Sequence, residues 1–240
     1  HNKRDKSGII QELSNKVLRR EKMLHKIKEQ KDTFCGINLV WTNYKRREIN
    51  LQVNKRYNDE RTERFKANGK KTKTTWFNYT EYTTTYIKGR EVPTNEKVNV
   101  ECEIMKGCRL ICKKPKTLDS FVEQQKRGIF NNELYTYVKS NKDKHFIERK
   151  VVIMTDGVKT IETQRIELKR GDTEKNEVDE LNRYFKLGWA LTVHSVQGHS
   201  ISENISIHEA HMMFNRDISV LYTAITRAPD AKYLHLGPKY

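Results

Sequence analysis

The segment from Phe34 to Trp41 constrains the fold most. It is apolar almost without interruption, with charges before it and Asn43 after it. A run of that length without polar alternation suits a strand buried on both faces, as inside a parallel sheet. Ile49, Val53 and Tyr57 then recur at fours within residues 44–65, the spacing of a helix laid on that sheet. Strand, turn and helix in this order make one unit of an α/β domain. The pattern returns toward the other end of the chain. There an apolar segment at Phe185–His194 reads as a helix, Ile205–Ile207 as a strand, residues 217–228 as a helix and Tyr233–Leu236 as a last strand.

The middle of the chain has a different texture. Trp76, Phe77, Tyr79, Tyr82 and Tyr86 are interleaved with threonines, which favours β structure over residues 66–101. Residues 104–112 read as a further strand. Short strand-like runs follow at Leu134–Val138, Val151–Met154 and Thr160–Ile166, separated by the turn-like strings Ser140–Asp143 and Thr155–Gly157. Closely spaced strands with polar turns predict a small β-barrel inserted into the α/β domain at residues 106–168. The surrounding domain is expected at 34–105 and 169–240. Ahead of it, Ile10, Leu13, Val17, Leu24 and Ile27 predict an amphipathic helix within residues 1–33 that packs on or links to the rest.

Composition narrows the partners. Lys and Arg number 47 against 31 Asp and Glu, a formal net charge of +16. That excess favours a polyanion, nucleic acid ahead of an anionic membrane surface. No apolar run approaches the roughly 20 residues of a membrane-spanning helix. The first residues, His1 to Lys6, lack the apolar core of a secretory signal, and a His in place of Met fits an excised piece. The four cysteines form no C-x-x-C pair, so reduced thiols in an intracellular protein are expected rather than a zinc site or disulfides. His208 and His211 have helical spacing, but no acidic or cysteine partner accompanies them, and no metal site is expected.

Three strings carry chemistry. The first is Val40-Trp41-Thr42-Asn43-Tyr44 with Asn50 beyond it. Here Tyr44 offers an aromatic face, and Asn43 is a short polar group able to cap the helix that follows. The second runs from Lys106 to Ile111 and resumes at Gly128–Val138. The third and longest is Leu187-Gly188-Trp189-Ala190-Leu191-Thr192-Val193-His194-Ser195-Val196-Gln197-Gly198. Downstream of it lies Tyr222-Thr223-Ala224-Ile225-Thr226-Arg227-Ala228. Thr192, His194 and Ser195 are short polar donors suited to the phosphates of a single strand. Gly198 has no side chain to keep a partner from its backbone. Arg227 carries a permanent charge on a planar fork of donors.

In this order the strings resemble motifs IV, V and VI of superfamily 1 helicases, the RecD-like branch above all. The third resembles the pattern L-x-x-A-x-T-I-H-K-S-Q-G, and the last resembles Y-V-A-L-S/T-R-A. The chain departs from the pattern at Ser195, where Lys is usual, and at Val196, where Ser is usual. It departs again at Asn132-Glu133, where Asn-Gly is usual. The resemblance implies a RecA-like parallel sheet with flanking helices, the second motor domain of an ATP-dependent DNA helicase moving 5′ to 3′. It implies catalytic roles for Arg227, as an arginine finger, and Gln197. It implies nucleotide contacts from Asn43, Tyr44, Gly198 and Arg227, and strand contacts from Thr192, His194 and Ser195. The aromatic segment adds Trp76 and Tyr79 as stacking faces.

No G-x-x-x-x-G-K-S/T phosphate loop occurs in the chain. ATP and magnesium would therefore be completed by an N-terminal RecA-like domain outside these residues, and this piece alone is expected to be inactive. Further implied partners are single-stranded DNA and a primase or polymerase of a replication complex, in nucleus, cytoplasm or a viral replication site. The Lys-, Asn- and Ile-rich composition fits an AT-rich genome, such as that of a large DNA virus or a parasite. Two other classes stay open. One is a superfamily 1 viral RNA helicase, against which His194 argues. The other is a non-catalytic basic module that binds nucleic acid, against which Gln197, Gly198 and Arg227 argue.

Overall fold

The computed structural model describes residues 36–87, 90–116, 128–172, 177–198, 201 and 203–236, so the helix expected within 1–33 lies outside the described residues. Strand β1 (Ile37–Val40) opens the described chain with all four residues buried, three of them apolar and the fourth, Asn38, hydrogen-bonded through its amide. Helix α1 (Asn43–Ala67) follows. Its cap is Thr42 and not Asn43: the Thr42 side chain accepts from the Lys45 N–H at 3.1 Å. A short oxygen on extended backbone reaches the first turn from there, whereas Asn43 is already helical.

Strands β2 (Thr74–Ile87) and β3 (Arg90–Met105) form a long antiparallel hairpin of their own. Only the inner face near its base enters the core, through Phe77, Tyr79, Val100 and Ile104. Gly107 turns the chain out of β3 at φ +90°, and a Cβ there would lie 2.1 Å from the Tyr57 hydroxyl oxygen. That hydroxyl donates to the Lys106 carbonyl at 2.7 Å, so α1 clasps the turn.

The next strands are β4 (Arg109–Cys112), β5 (Leu134–Ser140), β6 (Lys144–Thr155) and β7 (Val158–Lys169). A one-and-a-half-turn helix, α2 (Glu180–Tyr184), leads to β8 (Phe185–Leu187). These strands form an antiparallel sheet of order β7-β6-β5-β4-β8. The expected insert is thus a five-stranded sheet, and among the described residues its edge strands β7 and β8 do not pair to close a barrel. It also reaches past the expected boundary, because β8 pairs with β4. At the turn before β5, Asn132 itself adopts left-handed backbone, φ +60°, which Asn tolerates better than most residues.

Beyond Gly188 and Trp189 come β9 (Ala190–Thr192), a 3₁₀ turn at Val193–Val196, and β10 (Ile205–Ile207). Then α3 (Ala210–Arg216), α4 (Ile218–Ile225) and β11 (Leu234–Leu236) complete the described chain. The run Phe185–His194 is therefore not a helix. It is two short buried strands in two different sheets, joined through Gly188, a pattern that apolar periodicity alone does not separate from a buried helix. Strands β11-β10-β1-β9 form one parallel sheet in that order. The fold is mixed α/β, a parallel sheet with helices beside two antiparallel sheets.

Candidate nucleotide and nucleic-acid site

The parallel sheet has one point where its connections diverge. From β1 the chain leads eventually to β9 on one side, and from β10 it leads through α3 and α4 to β11 on the other. In open α/β sheets the crevice at the carboxyl ends of two such strands is where ligands bind. Several of the residues picked from the sequence follow strands at this carboxyl edge, whereas Trp76 and Tyr79 stand on β2. Thr42, Asn43 and Tyr44 follow β1, and Thr192 ends β9 directly opposite Val40. The turn carrying His194 follows, and Glu209 stands just beyond β10.

Helix α4 packs on the 3₁₀ turn of the third string. Val193, Val196 and Ile201 share one apolar cluster with Leu221, Ala224 and Ile225, and the Ile201 N–H donates to the Arg227 carbonyl at 2.9 Å. The two most specific strings, some thirty residues apart in sequence, are thereby fixed to each other. Arg227 leaves the end of α4 half-buried. Its Nε donates to the Thr223 carbonyl and its Nη2 to the Thr226 hydroxyl, both at 3.1 Å, which orients the guanidinium plane. Gln197 and Gly198 are exposed at the end of the turn. Gly198 has φ +87°, and a Cβ on it would meet nothing within 4 Å. Its glycine is required by the backbone angle, and the open space above it leaves the peptide accessible.

The other predicted contacts divide. His194 is exposed and Thr192 is half-buried at the strand end. Ser195 donates its only hydroxyl hydrogen to the Thr192 carbonyl at 2.7 Å, so within this turn it is a brace and not a donor to a strand. Tyr44 is 68% exposed and presents its ring to solvent, whereas Asn43 sits in the first turn of α1. Trp76 is exposed on the outer face of the hairpin. Tyr79 is a correction: it is 3% exposed, its ring 5.2 Å from that of Phe77, and it has no face for a base. Strand alternation places odd-numbered Phe77 and Tyr79 inward, with Trp76 and Tyr82 outward. Tyr82, at 58% exposure, is the aromatic that a strict reading of period two would have added to Trp76.

Sequence reasoning named Asn50 in the first string and weighed His208 only as a metal ligand, and it missed Glu209 and the bonds that join the three into a polar frame behind the edge. Asn50 on α1 accepts from the N–H groups of Trp189 and Ala190 at 2.8 and 2.9 Å and donates to the Ala190 carbonyl at 3.1 Å. It thus completes the hydrogen bonding of β9 where the strand begins. Glu209 accepts from the N–H groups of Trp41 and Thr42 at 2.9 and 3.0 Å and from the Thr42 hydroxyl at 2.9 Å. It does so from left-handed backbone, φ +58°, and ties the exits of β1 and β10 together. His208 is buried and bonds Asn38 Oδ1 at 2.9 Å through Nε2. The Asn38 amide nitrogen already donates to the Trp189 carbonyl, so His208 Nε2 is the donor to Oδ1. Burial, with help from the Lys45 charge, pushes the His208 pKa down to about 4, and the ring is neutral at physiological pH. No spacing rule signals these bonds, because the partners lie on strands far away in sequence.

No protein-family profile and no curated protein matches the chain. Among solved structures it is similar to the crystal structure of Pif1 helicase from Candida albicans. The likeness covers 89% of this chain and 48% of that one at 14% identity, with a TM-score of 0.45. The chain spans about half the length of that structure. A likeness of this size is one of fold only and decides nothing about activity.

Proposed function

We propose that the chain is the second RecA-like domain of a superfamily 1 helicase, which couples ATP hydrolysis to movement on single-stranded DNA. The observation that carries this reading is the packing of the Thr192–Gly198 turn against the helix that delivers Arg227, at the carboxyl edge of a parallel sheet. In this reading Arg227 stabilises charge on the transferring γ-phosphoryl, with Gln197 and Gly198 beside the nucleotide. The donors fit anionic phosphates. The Glu209 carboxylate is already engaged by three donors, so magnesium would be held by the half that brings the phosphate loop. Tyr44, Thr192 and His194 face the nucleotide or the strand, and Trp76 offers a stacking face. Resemblance to the RecD-like branch favours 5′-to-3′ movement and a place beside a primase or polymerase.

The test uses the full-length protein. It should hydrolyse ATP in a manner stimulated by single-stranded DNA, and the His194→Ala variant should lose most of that stimulation. The 240-residue chain by itself should show no turnover above a contaminant control. Turnover by the isolated chain, or a full-length protein indifferent to single strands, would overturn the reading.

A further inference from the structure

One group of charges lies where α1, the long hairpin and the five-stranded sheet meet. Glu81 lies on the inner face of β2, in line with Phe77 and Tyr79, and its side chain is 8% exposed. Arg46, from the first turn of α1 and equally buried, donates to it at 2.6 Å. Lys186, on β8, brings its ammonium to within 3.8 Å of the other carboxylate oxygen. Lys113, just past β4, sets its ammonium 5.5 Å from the centre of the Tyr79 ring. Two cations thus flank one carboxylate, Lys113 lies near enough to interact electrostatically with Glu81 and Lys186, and the Arg46 Nε is buried with no hydrogen-bond partner. Uncompensated positive charge at a partly buried place is unfavourable unless an anion joins it.

We propose that Lys113 and Lys186, backed by the Arg46–Glu81 pair, bind a phosphate group supplied from outside the chain. Two surplus positive charges match a phosphate dianion, or the successive phosphodiesters of one strand. Both amines have lowered pKa values, Lys186 down to about 8, through burial first and then, for Lys186, repulsion from Arg46 and Lys113, with Glu81 opposing. Lys186 remains reachable, its side chain 24% exposed. An anion seated there would restore its basicity. The site does not depend on the helicase reading, since its chemistry is that of phosphate alone.

The experiment is lysine acetylation near pH 7, read residue by residue by mass spectrometry, on the intact 240-residue chain with inorganic pyrophosphate, with a single-stranded 12-mer, or with neither. Unliganded Lys186 should react faster than exposed lysines such as Lys70. Each unit by which a bound phosphate raises its pKa lowers the free-amine fraction about tenfold, and labelling should slow accordingly. Slowing by both ligands assigns a site open to any phosphate, and slowing by the 12-mer alone assigns it to a strand. Lys113→Met should abolish the slowing while Lys186 still labels, and Lys113→Arg should keep it. The proposal fails if neither ligand slows Lys186, or if Lys113→Met leaves the slowing intact, because a strand lying elsewhere would then merely shade the amine.

Discussion

The parallel and antiparallel halves of this molecule bury their residues by different rules. In the parallel half the strands are three or four residues long and mostly buried, and apart from Asn38 and Ser206 inside the sheet the polar side chains collect at one edge, beyond the strand ends. In the antiparallel half the strands run to 12, 14 and 16 residues and alternate, with only the inner face near the base in the core. The outer parts carry exposed Trp76, Tyr82, Val152, Met154, Val158 and Ile161. Exposed polar groups in the first half are therefore concentrated where strands stop. In the second half polar groups are spread along strand faces, and a dense charge cluster lies where that face meets α1.

The contrast can be broken first by Arg227→Ala in the full-length protein. If the parallel edge is the catalytic half, ATP turnover should fall by on the order of 10³-fold with much smaller change in nucleotide affinity. Arg227→Lys should recover little, because an ammonium lacks the planar fork. Near-normal turnover by a folded variant would remove the edge from catalysis. Next, Leu221→Ala and Phe77→Ala each empty a fully buried site, one in each core, and should lower unfolding free energy by roughly 2–5 kcal/mol. Denaturant melts followed by tryptophan fluorescence and by backbone absorption should shift together if the halves unfold as one unit. A separate transition would show them independent.

Acidification provides a third comparison. Folded His208 titrates near 4, below its ordinary 6.5. The unfolded chain therefore binds the extra proton first. The stability from a neutral His208 is complete above about pH 6.5 and is lost as pH falls through about 4, up to roughly 3 kcal/mol. His208→Gln should flatten that part of a stability-versus-pH curve, and an unchanged acid limb would show that His208 is not its source. The smallest effect is expected at Trp76. If its exposed face stacks a base, Trp76→Ala should weaken single-strand binding by about 1–3 kcal/mol without changing the melting point. Unaltered affinity would leave the outer hairpin without that role.

How much could be read from the sequence follows from the same difference. Buried parallel strands announce themselves as short apolar runs, so β1, β10 and β11 were placed to within a few residues, as was α1. The same rule failed at Phe185–Leu191, where two buried strands of different sheets abut and no alternation marks the break. The short helix α3 was missed as well. Hairpin strands were legible from their turns, but whether a sheet closes depends on which edges meet, and no residue type reports that. At the site, Arg227, Gln197 and His194 stood out through local strings. Glu209 did not, and the bonds made by Asn50 and His208 could not be read, since each acts on backbone or side chains about 140 to 170 residues away.

That remoteness has a consequence for how the chain acquires its shape. The Asn38 side chain bonds the Trp189 carbonyl across a separation of 151 residues, and β1 lies between β9 and β10, both drawn from the far end of the described chain. The hairpins β2–β3 and β6–β7 need only close their own turns. Local pairings form early, and contacts that close long loops wait for the entropy to be offset. The inserted strands should therefore gain hydrogen-exchange protection first during refolding. The parallel sheet should assemble last, when the excursion has folded enough to bring β9 beside a β1 that was synthesised long before it.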